Sequence, residues 1–179
     1  TVGLISSNIY YGEMQMLCGC NVPDDRGIYH ALMGGETKNM LVQAGKTSVF
    51  VLSVPDKFDA MQLTTVSAKD MLDDANMRFD YLVIDGNTDL NNPISSIGMT
   101  EADKLLVVHR PSVKDCLWHD SMRNVFDLLN LSYKTAHILN AHDKSCDLSA
   151  YKSSIGLSLD MWKTQISMLI RDRLLYSTI

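Results

Sequence analysis

Residues 79–86 read Phe79-Asp80-Tyr81-Leu82-Val83-Ile84-Asp85-Gly86, and the fold turns on this stretch. Tyr81, Leu82, Val83 and Ile84 form an apolar run with no polar alternation, the pattern of a strand covered on both faces in a parallel sheet. The carboxylate and glycine that close the run mark the chain leaving the sheet. An aspartate at such a strand end can hold a water on a nucleotide-bound magnesium ion, or it can cap the following turn.

The strand expected here spans residues 81–85, and outward from it short apolar runs recur at residues 2–6, 48–53, 105–109 and 135–140. Segments of helical period lie between them. Residues 67–76 carry Ala68, Met71, Leu72 and Ala75 at helical spacing, and Ser112 is placed to cap a helix running through Leu131. The stripe of that second helix is expected to include Val113, Leu117, Val125 and Leu128, reinforced by Trp118, Met122, Phe126 and Leu129. Strands alternating with helices predict an α/β fold: three layers, with a mostly parallel sheet and helices on both faces. No repeat, low-complexity tract or Pro/Gly-rich linker interrupts the chain, so one domain over residues 1–179 is expected.

Composition bounds the function. The chain has 179 residues, 46% hydrophobic and 21% charged, with a formal net charge of −5. A length and balance of this kind bury a core without disulfide or metal staples. A mildly acidic chain without a dense Lys/Arg run makes direct nucleic-acid binding an unfavoured expectation. No stretch reaches the roughly 18 apolar residues of a membrane span, and no signal peptide opens the sequence. Cys18, Cys20, Cys116 and Cys146 form no C-x-x-C pair or disulfide framework and read as reduced thiols of a cytoplasmic protein. Cys18-Gly19-Cys20 with His30 fits no standard zinc spacing. The first residue is Thr1, directly before the apolar run Val2-Gly3-Leu4-Ile5, and a preceding segment is expected.

Open parallel sheets bind ligands beyond the carboxyl ends of their strands. Those ends read Ser6-Ser7-Asn8, Asp85-Gly86-Asn87-Thr88-Asp89, His109-Arg110-Pro111-Ser112 and Asn140-Ala141-His142-Asp143, and all four are expected along one edge. Each candidate has a structural alternative: Asn8 can begin a turn, Asn140 can cap the next segment, and His109 can be a satisfied core histidine. Gly45-Lys46-Thr47 mimics the tail of a phosphate-binding loop. It lacks the upstream glycine, Met40 standing there, and precedes a strand where it should follow one, so a turn is expected. No G-x-S-x-G nucleophile elbow occurs.

In order and spacing, these segments resemble the MinD/ParA group of deviant Walker ATPases, including the TadZ/CpaE-like proteins that position pili and secretion systems. Residues 1–19 (T-V-G-L-I-S-S-N-I-Y-Y-G-E-M-Q-M-L-C-G) resemble the family's second strand and switch segment, and residues 27–34 (G-I-Y-H-A-L-M-G) the short helix after it. Residues 49–55 (V-F-V-L-S-V-P) resemble the strand before the family's long loop, residues 79–85 its Walker B strand, and residues 102–108 (A-D-K-L-L-V-V) its next strand. Pro111-Ser112 resembles the following loop, and His137-Ile138-Leu139-Asn140 the strand whose terminal asparagine reads the base.

The resemblance implies a P-loop NTPase-like fold that binds ATP and magnesium, with Asp85 at the metal and Asn8, Asp85, Pro111 and Asn140 at the nucleotide. Two departures qualify it. The lysine-bearing phosphate loop is absent from these residues, so the nucleotide site depends on an upstream P-loop. Ser6 and Asn8 stand where the family carries aspartates, and an amide cannot serve as the carboxylate acceptor for an attacking water. No catalytic residue is therefore assigned. The implied function is a nucleotide-favoured homodimer that positions or assembles a protein partner complex, hydrolysing ATP weakly or not at all. The alternatives are an active ATPase or tyrosine-kinase relative, and a nucleotide-free scaffold on a relic fold.

At the C-terminus, Asp160 is expected to cap a helix with Trp162, Ile166, Leu169 and Ile170 on one face. Met161, Met168 and Leu175, among Lys163, Arg171 and Arg173, form a second stripe that would dock a partner or, with weaker support, touch a membrane at the cell pole.

Overall fold

A computed structural model describes residues 1–55, 63–140, 147–156 and 162–163. The chain divides into two compact units, Thr1–Ala102 and Asp103–Tyr176.

The first unit holds β1 (Val2–Ser6), α1 (Glu13–Leu17), α2 (Ile28–Leu32), α3 (Thr37–Met40), β2 (Val42–Gln43), β3 (Val49–Leu52), α4 (Thr65–Asn76), β4 (Tyr81–Asp85) and α5 (Pro93–Glu101). Its sheet has the order β2-β3-β1-β4. β1 runs parallel to both neighbours, with Ile5 opposite Leu52 on one side and Ile84 on the other. The core forms where these apolar strands meet Ala68, Met71, Leu72 and Ala75 of α4 and Ile94 and Ile97 of α5. Each fully buried Ile or Leu contributes about 1.5–3 kcal/mol. The α4 residues are those its helical spacing predicts, and its cap is Thr64, whose hydroxyl accepts from Ser67 N–H.

The Gly45-Lys46-Thr47 tripeptide turns an antiparallel hairpin between β2 and β3, as its inverted context predicts. Two-residue β2 is too short to register as a run. Gly27 is required at its place: its φ is +90°, and a Cβ there would stand 2.5 Å from the Ser53 carbonyl oxygen. That same carbonyl accepts from Ile28 N–H at 2.9 Å, seating α2 beyond the end of β3.

The second unit holds β5 (Leu105–His109), α6 (Val113–Leu128), a 3-10 turn (Ser132–Lys134), β6 (Thr135–Leu139), α7 (Leu148–Ile155) and β7 (Trp162–Lys163). Its three strands are parallel in the order β5-β6-β7. Ser112 caps α6 by accepting from Asp115 N–H, as expected.

Two expectations fail here. Val113, Leu117 and Leu128 are exposed, at 77%, 67% and 85%. Leu129 is exposed as well, while Trp118, Met122, Val125 and Phe126 of the expected stripe do face inward, joined by Asp115 and His119. Trp162–Lys163 pairs with His137–Ile138 as a parallel strand, so the helix expected from Asp160 does not include them. Asp160, Met161, Ile166, Met168, Leu169, Ile170, Arg171, Arg173 and Leu175 lie outside the described residues, as do Ala141, His142, Asp143 and Cys146.

Candidate functional site

In the first unit the parallel register of β1 and β4 sets Ser6 opposite Asp85, and Ser7 N–H donates to the Asp85 carbonyl at 2.9 Å. Asn8 follows one residue later, so two of the proposed site residues share a carboxyl edge. Asn8 is half-buried and folds locally: its N–H donates to Ser6 Oγ at 3.2 Å, and its Oδ1 accepts from Tyr10 N–H at 3.0 Å. This is the turn that the structural alternative anticipates.

Asp85 is exposed at the strand end, yet its carboxyl titrates above the ordinary range, through partial removal from water and then through the nearby Glu13 carboxylate. Glu13 opens α1, and nothing in the sequence pattern singles it out. Two carboxylates that repel each other at a strand end suit a divalent cation, which relieves the repulsion.

The loop after Asp85 is held by polar pairs that sequence reasoning missed. Asn92, buried at the N-cap of α5, accepts from Ile94 N–H and donates through Nδ2 to the Ser7 carbonyl at 2.7 Å. Asn87 N–H donates to Ser95 Oγ, which in turn donates to Asn87 Oδ1. The signal for Asn92 was an asparagine directly before a proline that opens a helix. Beside this framework, the Ser7 and Ser53 hydroxyls are buried without hydrogen-bond partners. Orphaned polar groups of this kind at strand ends are satisfied when a polar ligand or water binds.

In the second unit Asn140 and Pro111 lie just past the ends of the paired strands β6 and β5. Asn140 N–H donates to the His109 carbonyl at 2.8 Å. Asn140 is exposed and Pro111 half-buried.

His109 itself is a satisfied core histidine, the structural alternative for it, and wholly buried. Its Nδ1 meets Asp115 Oδ2 at 2.8 Å and its Nε2 meets His137 Nδ1 at 2.7 Å. The same carboxylate oxygen accepts from the Tyr151 hydroxyl. With a ring proton of His109 on Nδ1, facing the carboxylate, and none on Nε2, the second bond runs from His137 Nδ1–H to His109 Nε2. His119 of α6 completes a cluster of three imidazoles. Burial, followed by the neighbouring histidines His109 and His119, pushes His137 down to about 3. Burial also lowers His119.

No family model and no curated relative matches the sequence. Solved structures do match. A ParA family ATPase from Chlorobium tepidum is 14% identical with a TM-score of 0.74, over 95% of this chain and 74% of that one. The septum site-determining protein MinD from Pyrococcus horikoshii, complexed with Mg-ADP, is 12% identical with a TM-score of 0.67, over 95% and 71%. MinD in the MinC:MinD cell division complex of Aquifex aeolicus is 17% identical with a TM-score of 0.66, again over 95% and 71%. At these identities the likeness is one of architecture: the chain has the P-loop NTPase-like α/β fold of the MinD and ParA ATPases.

Proposed function

We propose that this chain is part of a MinD/ParA-like positioning or assembly factor of the TadZ/CpaE-like kind, a degenerate member that uses nucleotide binding as a switch. The observation that carries the reading is the pairing of β1 with β4, which aligns the switch-like segment ending at Asn8 with the Walker B-like Asp85. Asp85, with Glu13 beside it, would hold magnesium through water. Asn8 would face the nucleotide, Asn140 would read its base and Pro111 would border it.

The donor set fits a magnesium nucleotide in part. The carboxylate pair and the orphaned Ser7 and Ser53 hydroxyls are suitable, while the phosphate-binding lysine and glycine-rich loop must come from a segment outside these residues. Bound magnesium would supply charge neutralisation on the phosphates. Asn8, which already accepts from Tyr10 N–H, lacks the acid–base capacity of the aspartate it replaces, so the chain's own residues orient nucleotide without activating water.

In this reading nucleotide favours a homodimer, and the dimer presents a surface to a partner protein complex such as a pilus or secretion assembly in the cytoplasm at the membrane or cell pole. The MinC:MinD complex is a precedent for a protein partner on this fold. Isothermal titration of the longest natural chain with ATP and magnesium tests the reading: measurable binding that Asp85→Asn weakens is expected. Absence of heat and of any thermal shift would overturn it in favour of a nucleotide-free scaffold.

A further inference from the structure

Within the second unit, a cavity of about 290 Å³ opens between α6, the start of β6 and the end of α7, and its wall includes His119, His137, Met122, Phe126 and Ile155. The two imidazoles are the wall's nitrogen donors. Their ring centroids are 5.9 Å apart. Two imidazoles sharing one tetrahedral zinc-like ion, with metal–nitrogen bonds of about 2.0–2.1 Å, set their centroids about 5.2 Å apart, so a ring shift of less than about 1 Å closes this pair on one ion.

A second observation points the same way. His119 Nδ1 is sealed from water without a hydrogen-bond partner. A buried polar atom in that condition calls for a ligand. A third is the support behind His137. Its Nδ1 is committed to His109 Nε2, His109 Nδ1 to Asp115, and Asp115 also to Tyr151. A histidine that donates one ring N–H into a chain ending on a carboxylate has its ring fixed and its tautomer set, the usual outer-shell arrangement of a metal-ligating histidine.

We propose that this cavity binds a borderline divalent transition-metal ion of the zinc class, held by one ring nitrogen each of His119 and His137, with Asp115 acting through His109 to orient His137. Among the described residues no three His, Cys, Asp or Glu side chains form a ready metal group. Among the described residues the site thus has two protein ligands, and water or a small molecule in the cavity completes the coordination. Neutral imidazole selects ions of this class over magnesium or calcium, which prefer oxygen. The cation is preferred to an anion because the one guanidinium on the wall, Arg123, is paired with Asp120 at 3.3 Å, while the Asp127 carboxylate shares the wall.

Titration of the full-length protein with Co²⁺ alone, followed by the d–d absorption of the bound ion, and with Zn²⁺ in competition tests the site. One equivalent bound through nitrogen ligands is expected. His119→Gln should weaken binding by more than the roughly 10–100-fold that loss of an outer-shell partner costs. His30→Gln, on α2 of the other unit, should leave it unchanged. Because a variant can fail to fold, Co²⁺ is also added to wild-type protein and the imidazole proton resonances are followed. Those of His119 and His137 should broaden at the first equivalent, with His30 unaffected. No uptake by wild-type protein, uptake undiminished by His119→Gln in a folded variant, or broadening of His30 before the pair would each overturn the proposal.

Discussion

Asp115 shows how one polar residue can organise a core. It faces inward from the first turn of α6, and one of its oxygens serves both His109 and Tyr151. Asp115→Ala removes that shared acceptor, and loss of hydrogen bonds to a charged group costs about 1.5–3 kcal/mol. Urea unfolding at neutral pH should show a loss of that size, whereas Asp120→Ala, at an exposed position on the same helix, should stay within about 0.5 kcal/mol of wild type. Asp74 makes the complementary case for pH. Arg78 bonds to it from four residues on, Thr37 N–H donates to it at 2.9 Å, and its carboxyl is held below the ordinary range, by Arg78 first. A carboxyl whose folded pKa is depressed stabilises the fold above its unfolded value, and that contribution disappears as the pH falls through the folded value. Asp74→Asn should therefore be less stable than wild type at pH 7, with the gap closing below about pH 3.9, the unfolded carboxyl value. An equal gap at pH 7 and pH 2.5 would show that the charge plays no part. His109 was legible in the sequence as a strand-end residue with a core alternative, but its partners were not, because an aspartate and a histidine on an amphipathic helix read as solvent-facing until a buried partner is known.

At the scale of elements, the strands were the most legible because they are short, apolar and bounded by polar residues. β1, β4 and β5 match their expected bounds to the residue, and β3 and β6 begin or end within a residue of theirs. α6 was legible in its start and cap and, through Trp118, Met122, Val125 and Phe126, in part of its inward face; it ends at Leu128 and not Leu131. Choosing its face by apolar residues alone selects Val113, Leu117 and Leu128, whereas the face that packs inward carries Asp115 and His119 among its hydrophobics. α5 went unseen although Asn92 and Pro93 mark its start, since Ser95, Ser96 and Gly98 dilute its apolar period. Gly98 has a steric reason: a Cβ there would stand 2.9 Å from an Ile84 methyl, so α5 lies close on β4. Gly3 plays the same part within β1, where a Cβ would fall 2.4 Å from the Phe79 ring, which also packs against Phe50. Gly3→Ala should cost about 1–3 kcal/mol by overpacking. The double variant Gly3→Ala with Phe79→Leu should recover part of that loss in thermal melts. If Gly3→Ala melts with the wild type, the ring has room to move and the close approach is not a constraint.

Across the whole molecule the strands fall into two hydrogen-bonded sets, β2-β3-β1-β4 and β5-β6-β7. The order of β1, β3, β4, β5 and β6 was legible; this division was not, since apolar runs say that a strand is covered and not which strand lies beside it. β4 pairs with β1, and among the described residues no strand lies on its other edge. Tyr81 N–H donates to the Thr1 carbonyl and the Asp85 carbonyl accepts from Ser7. Backbone groups alternate along a strand, so those of Leu82 and Ile84 face the open edge. Open apolar edges are normally paired or covered, because they template association. The proposed nucleotide site needs a glycine-rich, lysine-bearing loop, which by construction follows a strand and opens a helix, and the open edge of β4 is a place for that strand. Hydrogen exchange should therefore show the Leu82 and Ile84 amides exchanging much faster than those of Val83 and Asp85 in residues 1–179 alone. In the longest natural chain all four should be comparably slow, and slower still with ATP and magnesium. Rapid exchange at Leu82 and Ile84 in both chains would mean that no strand docks there, and the nucleotide site would lose its phosphate-binding half; protection in both, with ATP without effect, would mean that the edge is covered by something other than a nucleotide-binding strand.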